Sequence, residues 1–259
     1  MILQERLEQA FSQLGWTRIP EILHRVAEEA SKENISYVEF LDNLLQEEIL
    51  AKNDRYVTLK TKQAHLPYHK TLEQFDFSFQ PSIDEKRIRH LATLRFIEHK
   101  ENAIFLGPPG VGKTHLSVAL ALKAISERYT VYFTTAHDLV QTLQIADRNN
   151  TIRKKMKMYT KPHLLIIDEI GYRKMEDEAA HFFFQIVSER YEKGSILLTS
   201  NKSYGSWGEI FGDNVLATAI LDRLLHHSST INIKGESYRI KEKKKAGFFK
   251  LDKQNEQGE

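Results

Sequence analysis

One stretch in the middle of the chain constrains the fold more than any other. Residues 102–106 are an apolar run that predicts a short buried strand, and residues 114–127 have the apolar spacing of an amphipathic helix. The loop between them reads Gly107, Pro108, Pro109, Gly110, Val111, Gly112, Lys113 and Thr114, with His115 directly after it. This loop matches the G-x-x-x-x-G-K-[ST] pattern in the strand–loop–helix context that the pattern requires, and it predicts a P-loop.

The residue types in this loop suit the binding of phosphate groups. Glycines allow the backbone to curl so that N–H groups point at phosphate oxygens, and the start of the helix adds its positive dipole end. We expect Lys113 to reach the β- and γ-phosphates and the Thr114 hydroxyl to ligate Mg²⁺. A simple glycine turn is the alternative, but motif and context together favour a nucleoside triphosphate bound by residues 107–115.

Strands and helices alternate around the P-loop. Strands are predicted at 102–106, 130–135, 163–168, 195–200 and 230–233. Helices are predicted at about 82–98, 114–127, 137–146, 151–160, 177–193 and 214–225. Five strands with intervening helices predict an α/β domain in which a parallel sheet has helices on both faces.

The chain before this α/β region shows helical periodicity only. Pro20 suits a first helical position, Ser36 and Glu39 form a capping box, and Ser82 with Glu85 forms a second capping box that would start the helix at 82–98. We predict a small all-helical domain at 1–65, a linker at 66–80, the α/β domain at 81–240 and a basic, partly disordered tail at 241–259.

Composition excludes several classes of protein. The chain of 259 residues is 41% hydrophobic and 28% charged, as in globular proteins, and no apolar run approaches the roughly 20 residues that span a bilayer. The absence of cysteine excludes disulfides and thiolate metal sites and fits a reducing cytoplasm. Since the net charge is only +2, affinity for nucleic acid has to come from local clusters of basic residues.

A second apolar run, 163–167, ends in Asp168 and Glu169. Strands of a parallel sheet are apolar on both faces, and such sheets place ligands at the carboxyl ends of their strands. Acids commonly end strands without a further role, but this pair follows the P-loop by one strand and two helices, which favours a nucleotide site. We expect Asp168 to hold Mg²⁺, mainly through water, and Glu169 to polarise the attacking water.

Two further polar residues lie after these acids. Asn201 ends the predicted strand at 195–200, where it would orient the attacking water or contact the γ-phosphate; a turn-forming role is the alternative. Arg223 lies on an amphipathic helix, where it would serve as an arginine finger; a surface ion pair with Asp222 is the alternative.

Several segments together resemble a known family: the P-loop, Asp168–Glu169, Thr199–Asn201, Asp222–Leu224 and Gly235–Arg239. They resemble AAA+ ATPases of the helicase-loader branch, which includes DnaC-type loaders and the IstB-type transposition helpers of bacterial insertion sequences. The IstB-type proteins are the closer match, over nearly the whole chain. The resemblance implies an ATPase that uses ATP and Mg²⁺, with ATP sites at the subunit interfaces of a homo-oligomer. It also implies that Asn201 is sensor 1, that Arg223 is offered to a neighbour's ATP, and that Arg239 is the candidate for sensor 2. Many AAA+ proteins carry sensor 2 on a C-terminal lid domain, and we expect none here because the remaining tail is short and polar.

A basic insert follows the second predicted strand. It contains Arg148, Arg153, Lys154, Lys155 and Lys157, with no acid between Asp147 and Pro162. On a helix, Ile152, Met156 and Tyr159 would face the core and leave Arg153, Lys154 and Lys157 toward solvent. By the resemblance this insert lines a path for double-stranded DNA, and a solvated basic face is the alternative. Contacts to phosphates alone are largely independent of DNA sequence.

The sequence therefore favours a cytoplasmic bacterial ATPase that assembles on target DNA and recruits a transposase, with no membrane partner. A replicative helicase loader would have the same motor and a different client, chosen by the N-terminal helices. A nucleotide-switched DNA-binding scaffold with little hydrolysis is a third possibility, and Glu169 with Arg223 argues against it.

Overall fold

The computed structural model describes residues 3–238, 240 and 241. The chain divides between Lys60 and Thr61 into two compact units. Arg239 and the tail at 242–259 lie outside the described residues, so the structure does not address the sensor 2 candidate or the predicted disorder of the tail. Among the described residues, no helix has both the length and the apolar character needed to cross a membrane.

The first unit is helical, as its periodicity predicts. It contains α1 (Leu3–Leu14), α2 (Arg18–Glu33) and most of α3 (Tyr37–Gln63). The last three residues of α3 lie beyond the boundary at Lys60. The capping interaction at Ser36 is confirmed, because the Glu39 N–H donates to the Ser36 hydroxyl at 3.2 Å. A small core of Ile19, Ile22 and Leu44 holds the unit together.

The predicted start of the second helix at Pro20 is wrong by two residues. Helix α2 begins at Arg18 because the buried Glu48 accepts hydrogen bonds from the backbone N–H groups of Thr17, Arg18 and Ile19 at 2.7–3.2 Å. These bonds satisfy amides that would otherwise lack acceptors at the start of the helix. A carboxylate about thirty residues away thus does the work that a local capping residue usually does.

The second unit is the predicted α/β domain. Its sheet contains β1 (Asn102–Leu106), β2 (Val131–Thr135), β3 (Leu164–Ile170), β4 (Ser195–Ser200) and β5 (Ser228–Asn232). All pairings are parallel, in the order β2-β3-β4-β1-β5, which confirms the predicted fold class. The helices are α4 (Glu85–Leu91), α5 (Arg95–Glu98), α6 (Lys113–Ser126), α7 (Ala136–Arg148), α8 (Ile152–Thr160), α9 (Asp177–Arg190), α10 (Trp207–Phe211) and α11 (Asn214–Leu225). In the part of the chain that is described, no lid domain follows β5.

The continuous helix predicted at 82–98 is wrong, because it is two short helices. Leu94 has a left-handed backbone (φ 65°) between α4 and α5, which no continuous helix allows. The cap is also misplaced: Asp84, not Ser82, accepts from the Lys86 N–H at 2.9 Å. Ser82 instead exchanges two hydrogen bonds with the backbone of Lys234.

Burial explains why the sheet forms around β1 and β3. All five residues of β1 are buried, and β3 is buried at every position except Glu169. Strands covered on both faces are apolar throughout, and their ends are then the places where polar groups reach solvent or ligand. The P-loop and the two acids occupy such ends.

Candidate nucleotide-binding site

The P-loop joins the carboxyl end of β1 to the start of α6. Gly112 precedes the helix with φ 100°, a left-handed conformation that suits glycine. The Lys113 ammonium donates to the carbonyl oxygens of Gly107 and Pro108 at 2.7 and 2.8 Å. The loop therefore wraps around its own lysine, whose ammonium bonds to the loop backbone.

Lys113 is a buried cation beside two acids. Its exposed fraction is 7%, and this burial lowers the pKa of the ammonium, while the charges of Asp168 and Glu169 act in the opposite direction. A partly desolvated ammonium interacts more strongly with an anion than a hydrated one does. The position suits a cation that contacts phosphate oxygens.

Two hydroxyl groups hold the Asp168 carboxylate. The Thr114 hydroxyl donates to Oδ2 at 2.9 Å, and the Thr199 hydroxyl donates to Oδ1 through a short hydrogen bond. The carboxylate and the Thr114 hydroxyl thus form an adjacent pair of oxygen donors next to the P-loop lysine. Hard oxygen donors of this kind fit Mg²⁺, so the residues present agree with the predicted metal ligands.

Glu169 occupies an irregular position in β3. The ladder with β4 pairs Ile167 with Leu198 and then Ile170 with Ser200, so β3 has one extra residue and forms a bulge. Glu169 lies in that bulge with φ 65°, and its side chain is exposed. Strained backbone at a non-glycine residue is common where a side chain has to be aimed at a site.

A cavity of about 560 Å³ is bordered by Lys113, Thr114 and Glu169. The loop and helix residues 109–115, Glu169 and Thr199 line one side of it. The other side is lined by part of the predicted linker, including Tyr68, Phe75 and Phe79. Sequence reasoning missed this contribution; the one signal was the interleaving of aromatic and polar residues at 75–79.

The linker residues pack tightly on the P-loop. A β-carbon on Gly112 would lie 2.6 Å from the Phe75 ring, so glycine is required there by space as well as by φ. His115 donates through Nε2 to the Thr71 carbonyl at 2.9 Å, and its ring packs edge-on against Phe75. Burial lowers the pKa of His115, while the hydrogen bond to the Thr71 carbonyl acts in the opposite direction.

Residues after β5 contact the tip of the P-loop. The Tyr238 N–H donates to the Gly110 carbonyl at 2.9 Å, and the Tyr238 ring packs edge-on against Phe79. The segment that leads to Arg239 therefore passes beside the loop, although Arg239 itself lies outside the described residues.

Asn201 is not in the cavity that contains Glu169. It lines a neighbouring cavity of about 420 Å³ together with Gly107 and Pro108. Its side-chain oxygen is buried and has no hydrogen-bond partner within the described structure. Its role as sensor 1 stays a prediction, and Thr199, two residues earlier, is the β4 side chain in contact with the two acids.

Arg223 lies at the opposite end of the sheet. Together with Asn102 and Ile196 it lines a cleft at the amino ends of β1 and β4. It donates to the Ala219 carbonyl at 3.0 Å and stacks 4.8 Å from the centroid of the Phe184 ring. In the described part of the chain it forms no ion pair with Asp222, so the surface-pair alternative is not observed, and the structure leaves its guanidinium away from the P-loop of its own chain.

The basic insert comprises the end of α7, a short turn and α8. Met156 and Tyr159 are buried and Ile152 packs against the core, as predicted, whereas Arg148, Arg153, Lys154 and Lys157 are exposed. Lys155 is half-buried. Within the described residues no carboxylate pairs with these five basic side chains, which leaves their positive charge available to an external anion.

Sequence reasoning also missed a buried cation, Arg190 on α9. Its exposed fraction is 1%, and its guanidinium donates to backbone carbonyls at the end of α8 and at the starts of β3 and β4, at 2.7–3.2 Å. Desolvation lowers its pKa to about 10, so it stays charged at neutral pH. Arg190 thereby fixes the basic helix α8 to the sheet, beside the cleft that Arg223 lines.

These features define the class of the protein. Strand β4 separates the P-loop strand from the strand that carries the two acids, which is the sheet order of AAA+ P-loop proteins. DnaA of Aquifex aeolicus in its AMPPCP-bound form is similar in fold, with a TM-score of 0.56 and 22% identity over 73% of this chain and 57% of that one.

The family follows from the sequence comparisons. Residues 10–246 match the family model described as IstB-like ATP binding protein, and the chain belongs to this family. A relative from Geobacillus stearothermophilus, named for ATP binding in insertion sequence IS5376, is 52% identical over 93% of this chain and 96% of its own length. A relative from Pseudomonas aeruginosa, named for ATP binding in insertion sequence IS21, is 51% identical over 94% of this chain and 92% of its own length.

Proposed function

We propose that the protein binds and hydrolyses ATP, and that it does so as a DNA-bound helper of insertion-sequence transposition. The observation that carries the proposal is that Lys113, Thr114 and Glu169 line one cavity at the P-loop, with the Asp168 carboxylate bonded to the Thr114 hydroxyl at 2.9 Å. The names of the two relatives, which join ATP binding to insertion sequences, support the second part.

The residues of the cavity have distinct roles in this proposal. Lys113 leaves the carbonyls of Gly107 and Pro108 and binds the β- and γ-phosphates, while loop N–H groups and the start of α6 bind phosphate oxygens. Glu169, aimed outward by the bulge, orients and polarises the attacking water. Asn201 orients water or γ-phosphate from the neighbouring cavity, and Arg239 is the proposed sensor 2.

Thr114 and Asp168 are the proposed ligands of Mg²⁺. When bound, the ion would supply positive charge that offsets the charge of the phosphates. The Thr114 hydroxyl and the Asp168 carboxylate, whose oxygens are 2.9 Å apart, would hold it.

Completion of the site requires a second copy of the chain. Arg223 lies at the amino ends of the strands, so it is available to the ATP of a neighbour and not to its own. Contacts of this head-to-tail kind generate rings or open spirals. We propose such a homo-oligomer, with ATP sites at subunit interfaces.

Double-stranded DNA is the proposed activator, and a transposase the proposed client. The exposed basic residues of α7 and α8 are unpaired in the described structure and suit phosphates of any DNA sequence. DNA gathers subunits, and gathered subunits complete one another's sites, so DNA should stimulate hydrolysis. The proposed place of action is the bacterial cytoplasm.

The direct test measures ATP turnover with and without duplex DNA. Wild-type protein should hydrolyse ATP faster when DNA is present, and Lys113→Ala should weaken ATP binding by about a hundredfold, because Lys113 is the cation that the P-loop itself encloses. Lys123→Ala is the matched control, since Lys123 is on the same helix but is exposed and pairs with Glu127. Unchanged ATP affinity of the Lys113 variant by calorimetry would refute the P-loop assignment.

The client is tested separately. The protein, with ATP and DNA, is mixed with either a transposase from an insertion sequence of the same kind or a replicative helicase. Retention of the transposase alone supports the proposal, and retention of the helicase alone would assign the protein to helicase loading instead.

A further inference from the structure

The Thr199 hydroxyl lies between the two acids of the site, and the roles proposed above leave it unused. Thr199 is fully buried in β4 and borders the nucleotide cavity. Its hydroxyl donates to Asp168 Oδ1 and accepts the backbone N–H of Glu169 at 2.9 Å. A hydroxyl has one proton, so these two bonds use it as donor to one acid and acceptor from the other.

We infer that Thr199 is a positioning residue for both acids, and that its hydroxyl sets the arrangement that ATP hydrolysis requires. The inference rests on the proposed ATPase function. It concerns a side chain that acts through Asp168 and Glu169.

The bulge in β3 explains why Glu169 needs such a partner. A bulge leaves a residue out of the ladder, and a buried amide without an acceptor is costly. Here the backbone N–H of Glu169, a residue with φ 65°, donates to the Thr199 hydroxyl instead of to a strand carbonyl. The hydroxyl therefore holds Glu169 in a conformation that the chain would otherwise leave.

The same hydroxyl orients the Asp168 carboxylate. Because Oδ1 accepts from Thr199, Oδ2 is directed to Thr114, which is the side of the proposed metal ligands. One hydroxyl thus fixes the orientation of both Asp168, the proposed metal ligand, and Glu169, the proposed base. Without this hydroxyl, we expect both carboxylates to become less ordered.

A neighbouring residue supplies a matched control. Ser200 is equally buried on the same strand, and its hydroxyl donates to the Ile170 carbonyl at 2.8 Å without contacting either acid. Loss of that hydroxyl removes a buried hydrogen bond beside the bulge but leaves the two acids held. Any effect common to Ser200→Ala and the Thr199 variants is therefore structural.

The experiment compares Thr199→Val, Thr199→Ser and Ser200→Ala in the full chain. Valine keeps the shape and loses the hydroxyl, and we expect kcat to fall about ten- to hundredfold, as for a lost hydrogen bond to a charged group. Serine keeps the hydroxyl and should return kcat to within about threefold of wild type. ATP affinity by calorimetry and KM should change by less than about threefold in all three variants, because the phosphate contacts are intact.

Hydrogen exchange gives a readout independent of turnover. The Glu169 amide should exchange slowly in wild type and in the serine variant, and faster with valine. If Thr199→Val does not fold, Thr199→Ala takes its place against the same serine variant.

The outcomes separate the inference from the proposed function. A wild-type protein with no turnover would overturn the ATPase proposal, and the inference with it. Wild-type turnover that valine leaves intact would overturn the inference alone. So would a serine variant as impaired as valine, a Ser200→Ala variant as slow as Thr199→Val, or a Glu169 amide unprotected in wild type.

Discussion

The two ends of the parallel sheet carry positive charge in opposite settings. At the carboxyl ends, Lys113 is buried, bonded to its own loop and close to two acids. At the amino ends, Arg223 is half-buried, with one helix carbonyl and the Phe184 ring as its partners. One end is a nearly complete chemical site, and the other is a cation with no acid paired to it in the described structure.

This difference supports the proposal that one chain holds two halves of different sites. Strand β1 has five residues, so its ends lie roughly 16 Å apart at about 3.3 Å per residue. An arginine side chain is shorter than this distance. The proposed finger role of Arg223 therefore requires an interface between subunits, and the predictions below test the two ends separately.

The largest expected effect comes from breaking each end in a different chain. Lys113→Ala should be nearly inactive because it lacks the P-loop lysine. Arg223→Ala should also be nearly inactive, since fingers in trans are worth roughly 10³–10⁵ in rate. A mixture should regain activity, because the Arg223 of the first protein meets the intact ATP site of the second.

The control for this mixture is Lys113→Ala combined with the double variant Lys113→Ala, Arg223→Ala. No intact ATP site is present, so the rate should stay at the level of the components. If the informative mixture also stays inactive with DNA across a wide range of concentration, Arg223 is not a finger in trans.

The next largest effect is expected from a variant that disables the site at the carboxyl end of the sheet but still binds ATP. Glu169→Gln should lower kcat by about 10²–10⁴, the range of a lost general base, with little change in ATP affinity. Its Arg223 is intact, so it should also restore activity to Arg223→Ala in a mixture. Glu178→Gln, an exposed acid on α9, is the control. Turnover at the wild-type rate in the Glu169 variant would remove that residue from the mechanism.

The smallest effect concerns the basic helix. Alanine at Arg153, Lys154 and Lys157 should weaken binding to unrelated duplexes alike and flatten the slope of log K against log salt by up to about 0.9 per lost contact. ATP affinity without DNA should not change, since α8 is fixed to the sheet by Arg190 at the amino ends of the strands.

A charge-matched control for the basic helix removes Arg6, Arg25 and Lys32, exposed residues of the first unit. It should leave the salt slope intact. If the control flattens the slope and the α8 variant does not, the DNA binds the helical unit instead.

Local patterns predicted the carboxyl end of the sheet well. Strand β1 lies at the predicted residues, and Thr114 and Asp168 meet as expected. The P-loop motif is one unbroken stretch of sequence, and the apolar run of β3 is another. Contiguous signals fix local geometry, and parallel strands then bring their ends together.

Contacts between distant segments were beyond such patterns. The packing of Phe75 on Gly112 and the hydroxyl bridge of Thr199 depend on partners far apart in sequence. Arg190 looked like an ordinary charged residue at the end of a helix, and only the fold shows that backbone carbonyls surround it. A periodic pattern says which face is buried, but it does not say what a buried polar atom will contact.

The hydrogen bonds of Lys113 make nucleotide binding an exchange of ligands. The carbonyls of Gly107 and Pro108 act as internal competitors for the ammonium group, and an incoming anion has to displace them. A ligand with a single phosphate replaces two short bonds with few new ones, whereas a triphosphate replaces them and also engages the loop amides. If ATP binds as proposed, we expect the loop to discriminate by the number of phosphates, and the affinity for ATP to reflect the difference between two sets of ligands for the same cation.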